Sequence, residues 1–187
     1  MTDPNLQVLI PAERIQARIR ELGEQISADY PTGNLNMVCI LKGAAYFMAD
    51  LTRAMRRDVF IDFMGISSYG KGKQSSGEVK VTKDLDISLE GTPVLIVEDI
   101  VDSGVTLNYL MNLLEQRKPD SIRIAALLDK PERRLRPVHV HYVGFQIPDR
   151  FVVGYGLDFA EKYRNLDDIC VLDGAPEVAG APGQHGR

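Results

Sequence analysis

The sequence predicts an α/β fold in which a mostly parallel, twisted sheet is flanked by helices. Short apolar segments rich in β-branched residues alternate with longer segments in which apolar residues recur every three or four positions. The first kind of segment is typical of strands buried on both faces, and the second of amphipathic helices. Their alternation predicts parallel strands with helices on both faces of the sheet. A chain of 187 residues can form one domain around a sizeable core.

Three segments have apolar residues at helical spacing, which would form an apolar stripe along one side of a helix. Pro11 to Tyr30 has isoleucine and leucine at helical spacing and is ended by the turn residues Pro31 to Gly33. Ala44 to Met55 has a second stripe, and a third begins at Val105. We expect each of these segments to cover the sheet with its apolar face.

The remaining apolar runs predict strands. They are Met37 to Leu41, Val59 to Ile66, Glu78 to Thr82, Val94 to Val97, Ser121 to Leu128, Val138 to Phe145, Phe151 to Val153 and Ile169 to Leu172. Ser67 to Gly77 is rich in Ser, Gly and Lys, which predicts a mobile loop. The Pro, Gly and Ala content of residues 174–187 predicts a disordered tail after a single domain of residues 1–173.

Composition argues against several classes of protein. The formal net charge of −4 gives no electrostatic footprint for nucleic acid. No apolar run approaches the length of a membrane span, and the first residues do not resemble a signal peptide. Cys39 and Cys170 lie in strand-like segments and are interpreted as small buried hydrophobic residues in a reducing compartment. We therefore expect a cytoplasmic protein that binds neither nucleic acid nor membrane.

The most informative stretch is Val94 to Leu107, with the sequence Val-Leu-Ile-Val-Glu-Asp-Ile-Val-Asp-Ser-Gly-Val-Thr-Leu. Glu98 and Asp99 come at the carboxyl end of a buried strand, where ligands bind in open α/β sheets. Ser103 to Thr106 begins a helix, whose free N–H groups favour a phosphate. Vicinal carboxylates suit a sugar diol or Mg²⁺. The alternative is a strand that ends in solvated acids before a well-capped helix.

This stretch closely resembles the phosphoribosyl pyrophosphate signature of the type I phosphoribosyltransferases. Within that group the chain is similar to the hypoxanthine-guanine phosphoribosyltransferases, from about Val38 to Asp173. The resemblance implies the type I phosphoribosyltransferase fold, with a small hood formed by the terminal segments. It also implies transfer of a phosphoribosyl group from 5-phosphoribosyl-1-pyrophosphate to hypoxanthine and guanine, with Mg²⁺ as cofactor, in a homodimer or homotetramer.

Two further positions follow predicted strands. Leu41 to Gly43 on its own fits a simple strand-to-helix turn, but in the resembled family this tripeptide forms the pyrophosphate-binding loop. Lys130 on its own fits a solvated side chain. The family match of Leu-Leu-Asp-Lys-Pro-Glu-Arg-Arg makes it the donor to the six-position oxygen of the purine. Such a contact would separate 6-oxopurines from adenine.

The block Gly144 to Asp158 is the second strong match. Phe151 resembles the ring that stacks on the purine, although an ordinary core aromatic fits the sequence better when it is taken alone. In the resembled family, Val152 contacts the base through its backbone. Asp158 resembles a ligand of a second metal ion.

Two positions outside this block complete the resemblance. Arg164 resembles the arginine that binds pyrophosphate, a role that suits its fixed fork of donors. Ser68 and Tyr69 match the start of the loop that covers the site, and closure of that loop would exclude water from a reactive sugar cation.

The resemblance implies a catalytic role for Asp102 as general base or hydrogen-bond acceptor at nitrogen seven of the purine. The residues implied to bind substrate are Leu41, Lys42, Gly43, Ser68, Tyr69, Glu98, Asp99, Ile100, Val101, Asp102, Ser103, Gly104, Val105, Thr106, Lys130, Phe151, Val152, Asp158 and Arg164. The implied metal ligands are Glu98, Asp99 and Asp158.

Other motifs favour structural roles. Gly70 to Lys73 lacks the Ser or Thr of a Walker loop. His139 and His141 would share one face of a strand but have no third metal ligand nearby in the sequence. The basic cluster Lys130 to Arg136 is interpreted as a solvated rim or a subunit contact, because it lacks interleaved aromatics.

Two rival functions stay open at this stage. The first is a related enzyme that prefers xanthine, guanine or another base. The second is a regulator that keeps the fold as a ligand sensor and binds nucleic acid. The acidic charge balance argues against the second, because such a regulator needs a basic surface.

Overall fold

The computed structural model describes residues 5–68 and 79–174. Tyr69, the greater part of the predicted loop Ser67 to Gly77, and the predicted tail beyond Gly174 lie outside the described residues.

The described elements alternate much as predicted. In chain order they are β1 (Leu6–Ile10), α1 (Ala12–Asp29), β2 (Asn36–Leu41), α2 (Ala44–Ala54), β3 (Phe60–Ser68), β4 (Val79–Lys83), β5 (Pro93–Val101), α3 (Val105–Glu115), β6 (Ser121–Asp129), a 3₁₀ helix (Pro131–Arg133), β7 (Tyr142–Gln146), β8 (Val152–Val153) and β9 (Ile169–Leu172). Six strands form the main sheet in the order β4-β3-β2-β5-β6-β7. Every neighbouring pair is parallel except β3 with β4.

Helices cover both faces of the main sheet. The central strands β2 and β5 send alternate side chains to opposite faces, and Met37 to Ile40 and Val94 to Val97 are at most 4% exposed. One face packs against α1 and α2, and the other packs against α3 through residues that include Leu110. Burying a large aliphatic side chain stabilises the fold by about 1.5–3 kcal/mol, so these two layers account for much of the driving force.

A second, smaller sheet is built from the two ends of the described chain. Its strands are antiparallel, in the order β1-β9-β8. The predicted hood of terminal segments corresponds to this sheet. The sequence did not predict β1, because five residues with a mixed burial pattern carry little signal until β9 pairs with them.

Most predicted strand ends lie within two residues of those in the structure, but two strands differ by four residues at one end. The strand predicted at Val94 to Val97 extends to Val101, so it contains Glu98 and Asp99. The prediction of a strand from Val138 is wrong, since pairing with β6 begins only at Tyr142. At His141 the backbone N–H still donates to the Ile124 carbonyl oxygen at 3.0 Å, but the Ile124 N–H donates to the His141 Nδ1 atom at 3.2 Å and so has a side-chain acceptor instead of a backbone one.

Among the helices of the described residues, none combines the length and the apolar character needed to cross a bilayer.

Replacement of Leu110 by alanine tests the importance of the α3 layer. Leu110 is fully buried, so we expect a loss of about 2–5 kcal/mol in the free energy of unfolding, measured by urea denaturation. Tyr109→Ala on the same helix is the control, because Tyr109 is 38% exposed. A loss at position 110 no larger than that at position 109 would contradict this packing.

Candidate active site

A cavity of about 140 Å³ lies where β5 leads into α3. It is lined by Glu98, Ile100, Val101, Asp102, Ser103, Gly104, Thr106 and Leu107. Gly104 has a left-handed φ of +78°, and a Cβ there would lie 2.5 Å from the carbonyl oxygen of Arg136, so the turn requires glycine. Gly104 is the N-cap residue of α3, and as a glycine it has no side chain that could accept a hydrogen bond from the first helical amides. Within the described residues, the first-turn amides of α3 have no side-chain cap other than a 3.4 Å contact of the Val105 N–H with Ser103 Oγ, so they can bind an anion.

Two adjacent acids of β5 have their carboxyl groups in a poorly solvated environment, and Glu98 lines this cavity. Glu98 is 8% exposed, and burial together with the neighbouring Asp99 raises the pKa of Glu98 well above its ordinary value. Burial raises the pKa of Asp99 to about 6, while two backbone hydrogen bonds and Arg164 oppose that rise. Burial disfavours the ionised form of each acid. A bound cation, or hydroxyl groups that donate hydrogen bonds, would relieve this unfavourable electrostatic energy.

The turn after β2 packs directly against Asp99. The peptide bond between Leu41 and Lys42 is cis. A Cβ on Gly43 would lie 1.6 Å from the Asp99 Oδ2 atom, and a Cβ on Gly156 would lie 2.2 Å from the Gly43 carbonyl oxygen. Glycine at positions 43 and 156 therefore lets three separate parts of the chain approach each other at one point.

Basic and acidic side chains form ion pairs beside the contact between Gly43 and Gly156. The Arg164 Nη2 atom lies 2.7 Å from the Asp158 carboxylate, and Nη1 donates to the Gly156 carbonyl oxygen at 2.7 Å. Lys42 Nζ lies 3.2 Å from both carboxylate oxygens of Glu161. Hydrogen bonds from Lys42 and Arg164 lower the pKa of Glu161. Two cations of the predicted pyrophosphate subsite thus contact acidic side chains.

A second network joins Asp102 to Lys130. Lys130 is 5% exposed and donates from Nζ to the Arg150 carbonyl oxygen at 2.7 Å. Arg133 bridges two acids, with Nε 2.8 Å from Asp102 Oδ1 and Nη1 3.2 Å from Asp149 Oδ1. The Arg133 Nε–H bond does not point at Asp102 Oδ1, and within the described residues this buried oxygen accepts no hydrogen bond. Arg133 therefore holds this oxygen through charge, while the Asp102 side chain as a whole is 37% exposed.

The predicted base-binding residues lie on or beside the small sheet. Val152 belongs to β8 and is buried. Phe151 is partly buried, and its ring meets that of Phe159 edge-on at 5.6 Å between centroids. This packing agrees with the core interpretation of Phe151 and leaves its stacking role a prediction.

The backbone of Ser68 ends β3, just before the undescribed Tyr69.

No group of three or more His, Cys, Asp or Glu side chains in the described residues is close enough to hold a metal ion by itself. The chemistry of Glu98, Asp99 and Asp158 nevertheless suits Mg²⁺, which prefers oxygen ligands. Mg²⁺ is commonly held by one or two carboxylates, with water and substrate oxygens completing its coordination. The rings of His139 and His141 meet edge-on, with 4.5 Å between their centroids.

Three residues near these networks were missed by the sequence interpretation: Arg133, Asp149 and Glu161. The interpretation of the basic cluster as a solvated rim is wrong for Arg133 and Arg134, whose side chains are 18% and 16% exposed. Both lie against acids, since Arg134 also pairs with Asp129. Sequence alone offers no signal for these pairs, because their partners are distant along the chain or belong to a different turn.

Known proteins resemble this chain over most of its length. Residues 10–160 match the family model described as phosphoribosyl transferase domain. A hypoxanthine-guanine phosphoribosyltransferase of Bacillus subtilis is 51% identical over 166 residues, which cover 89% of this chain and 92% of that protein. A bifunctional protein of Listeria innocua named TilS/HprT is 51% identical over 172 residues, which cover 92% of this chain but only 26% of that protein. The crystal structure of a hypoxanthine phosphoribosyltransferase from Staphylococcus aureus superposes with a TM-score of 0.87 at 48% identity, covering 95% of this chain and 96% of that one.

The burial of Asp99 predicts a pH-dependent cost to stability. Its pKa rises from 3.8 to about 6 on folding, so between these values the folded state holds a proton that the unfolded state has lost. Stability should therefore fall as pH rises from about 4 to about 6, by roughly 1–3 kcal/mol. Asp99→Asn should remove this contribution and be the more stable protein at neutral pH.

Urea denaturation across this pH range, without divalent cations, measures the effect. Asp58→Asn is the matched control, because Asp58 is exposed. An Asp99→Asn variant with the same pH dependence as the unsubstituted protein would show that burial of Asp99 is not responsible.

Proposed function

This chain belongs to the phosphoribosyltransferase family, with the hypoxanthine-guanine phosphoribosyltransferases among its relatives, and from that premise we propose that it transfers the 5-phosphoribosyl group of 5-phosphoribosyl-1-pyrophosphate to hypoxanthine and guanine. The products are inosine or guanosine monophosphate and pyrophosphate, so the reaction salvages purines. The observation that carries the proposal is a single cavity lined both by Glu98 of β5 and by the anion-binding turn at the start of α3.

The turn from Asp102 to Thr106 binds the 5-phosphate of the sugar. Support comes from the absence of a side-chain cap at Gly104 in the described structure, and from the close backbone approach that this glycine permits. The amides at the start of α3 and the hydroxyl groups of Ser103 and Thr106 supply donors, and the helix dipole favours negative charge there. Ile100, Val101 and Val105 contribute backbone to the same surface.

The ribose hydroxyls bind beside Glu98 and Asp99. These carboxylates, with Asp158, would also hold Mg²⁺, which supplies positive charge near the diphosphate when it is bound. The raised pKa values of both β5 acids support this role, because a hydroxyl donor or a cation would stabilise their ionised forms. Pyrophosphate binds to the Leu41 to Gly43 turn and to Arg164, whose cations offset the charge that develops on the leaving group.

The purine lies between Phe151 and the sugar. Lys130 donates to its six-position oxygen, and the Val152 backbone contacts its edge. The burial of Lys130 supports this role, because its ammonium group has three donors. Within the described residues one donor is given to the Arg150 carbonyl oxygen at 2.7 Å, and the Asp149 carboxylate lies 3.6 Å away as an ion-pair partner. An adenine amino group would leave that donor facing another donor, which explains selectivity for 6-oxopurines.

In the chemical step, nitrogen nine of the purine attacks carbon one of the ribose as the bond to pyrophosphate breaks, with inversion at that carbon. Asp102 accepts the proton or hydrogen bond at nitrogen seven. The position of Asp102 supports this assignment, because the residue lines the cavity next to the phosphate turn and its side chain is 37% exposed. Ser68 and Tyr69 complete the proposed set of substrate-binding residues.

The proposal includes a cytoplasmic homodimer or homotetramer. Two apolar side chains on one face of β3 support self-association, since Ile61 and Phe63 are 45% and 37% exposed. Clusters of large exposed apolar residues commonly mark protein interfaces.

An assay of nucleotide formation with each purine base tests the proposed activity. With Mg²⁺ and 5-phosphoribosyl-1-pyrophosphate, we expect turnover with hypoxanthine and guanine and none with adenine. Product identity is read by chromatography. Turnover with xanthine but not hypoxanthine would reassign the substrate, and no turnover with any base would refute the activity.

Asp102→Asn tests the proton acceptor. The amide keeps the shape of the carboxyl group but cannot accept a proton, so we expect turnover with hypoxanthine to fall by about a hundredfold or more. Asp120→Asn, at the opposite edge of the sheet before β6, is the control and should leave turnover unchanged. A loss well below tenfold at position 102 would exclude an important proton-transfer role.

A further inference from the structure

A tight hairpin places one carboxylate in front of the proposed pyrophosphate subsite. Phe159 and Lys162 pair through two backbone hydrogen bonds of 3.2 and 3.0 Å. The two residues between them, Ala160 and Glu161, both have left-handed φ values, of 50° and 65°. Two-residue turns of this kind usually contain Asn-Gly, because residues with a Cβ are disfavoured in this conformation. Backbone strain of this kind commonly marks a functional position.

The Glu161 side chain contacts both cations of that subsite. Lys42 Nζ lies 3.2 Å from each carboxylate oxygen, and Arg164 Nη2 lies 3.4 Å from Oε2. The Glu161 N–H donates to Asp158 Oδ2 at 2.9 Å, which fixes the direction in which the hairpin tip points. One carboxylate thus bridges two cations that the proposed function assigns to a diphosphate.

These contacts differ in how easily they break. The Lys42 and Glu161 side chains are each 67% exposed, so their ion pair separates into water at little cost. Arg164 is 21% exposed and is also held by Asp158 and the Gly156 carbonyl oxygen. Withdrawal of Glu161 therefore leaves Arg164 in place and frees Lys42.

We propose that Glu161 is a built-in competitor of pyrophosphate that sets the affinity of the subsite formed by Lys42 and Arg164. It contacts both cations when the subsite is empty, and an incoming diphosphate displaces it. This inference rests on the proposed function. The consequence is weaker binding of pyrophosphate and faster release of that product.

The direction in which substitution of Glu161 changes the affinity for pyrophosphate distinguishes two possible roles of this residue. If Glu161 competes with pyrophosphate, its removal tightens pyrophosphate binding. If Glu161 instead holds Lys42 in a productive position, its removal weakens binding. Both roles involve the same contacts, so only a binding measurement distinguishes them.

Glu161→Gln keeps the size of the side chain and removes its charge. Calorimetric titration of the full chain with pyrophosphate and Mg²⁺ should give a Kd about three- to tenfold lower for this variant, the range for two exposed ion pairs. The KM for 5-phosphoribosyl-1-pyrophosphate should fall in parallel. The difference should shrink at high salt, because exposed charges are screened.

Glu24→Gln is the matched control. Glu24 also pairs with an arginine on the surface, Arg56 at 2.7 Å, but this pair joins α1 to the segment after α2. Its removal should leave the Kd for pyrophosphate unchanged. An unchanged or higher Kd for Glu161→Gln, in a protein that still forms nucleotide from hypoxanthine, would overturn this inference alone. Failure of the unsubstituted chain both to bind pyrophosphate and to turn over any base would overturn the proposed function and this inference with it.

Discussion

Strand β5 pairs in parallel with β2 on one side and β6 on the other, and both of its faces are covered by helices. This parallel pairing determines where the turns of the candidate site lie. Parallel strands direct all their carboxyl ends to one edge of the sheet, so the turns that follow β2, β5 and β6 meet there. The Leu41 to Gly43 turn, the Asp102 to Thr106 turn and Lys130 become neighbours without any direct attraction between them.

Placing acids on such a strand has an energetic cost. Glu98 and Asp99 lie where burial raises their pKa values, and Gly43 allows the backbone to press against one of them. A sequence selected for stability alone would avoid this arrangement. Binding of a cation and a polyhydroxylated ligand would stabilise the ionised carboxylates and so offset their lost hydration.

The same edge keeps its opposite charges in contact. Arg164 pairs with Asp158 and Glu161, and Arg133 pairs with Asp102 and Asp149. Charged groups in a cleft are stabilised by such partners when no ligand is present. In the proposed function, a ligand would take the place of some of these internal partners, so the same side chains would influence how tightly the ligand binds.

Local pattern by itself determined the three helices, the parallel sheet and the two turns of the site, because hydrophobic periodicity and the Ser-Gly-x-Thr turn are encoded within short segments. The family resemblance supplied the remaining site residues, and the fold it implied is confirmed. Only the tertiary structure decided the pairing of β1 with β9, the late start of β7 and the partners of Arg133 and Glu161. These depend on contacts between residues far apart in the chain, and on side chains that compete with backbone for hydrogen bonds, neither of which a local pattern records.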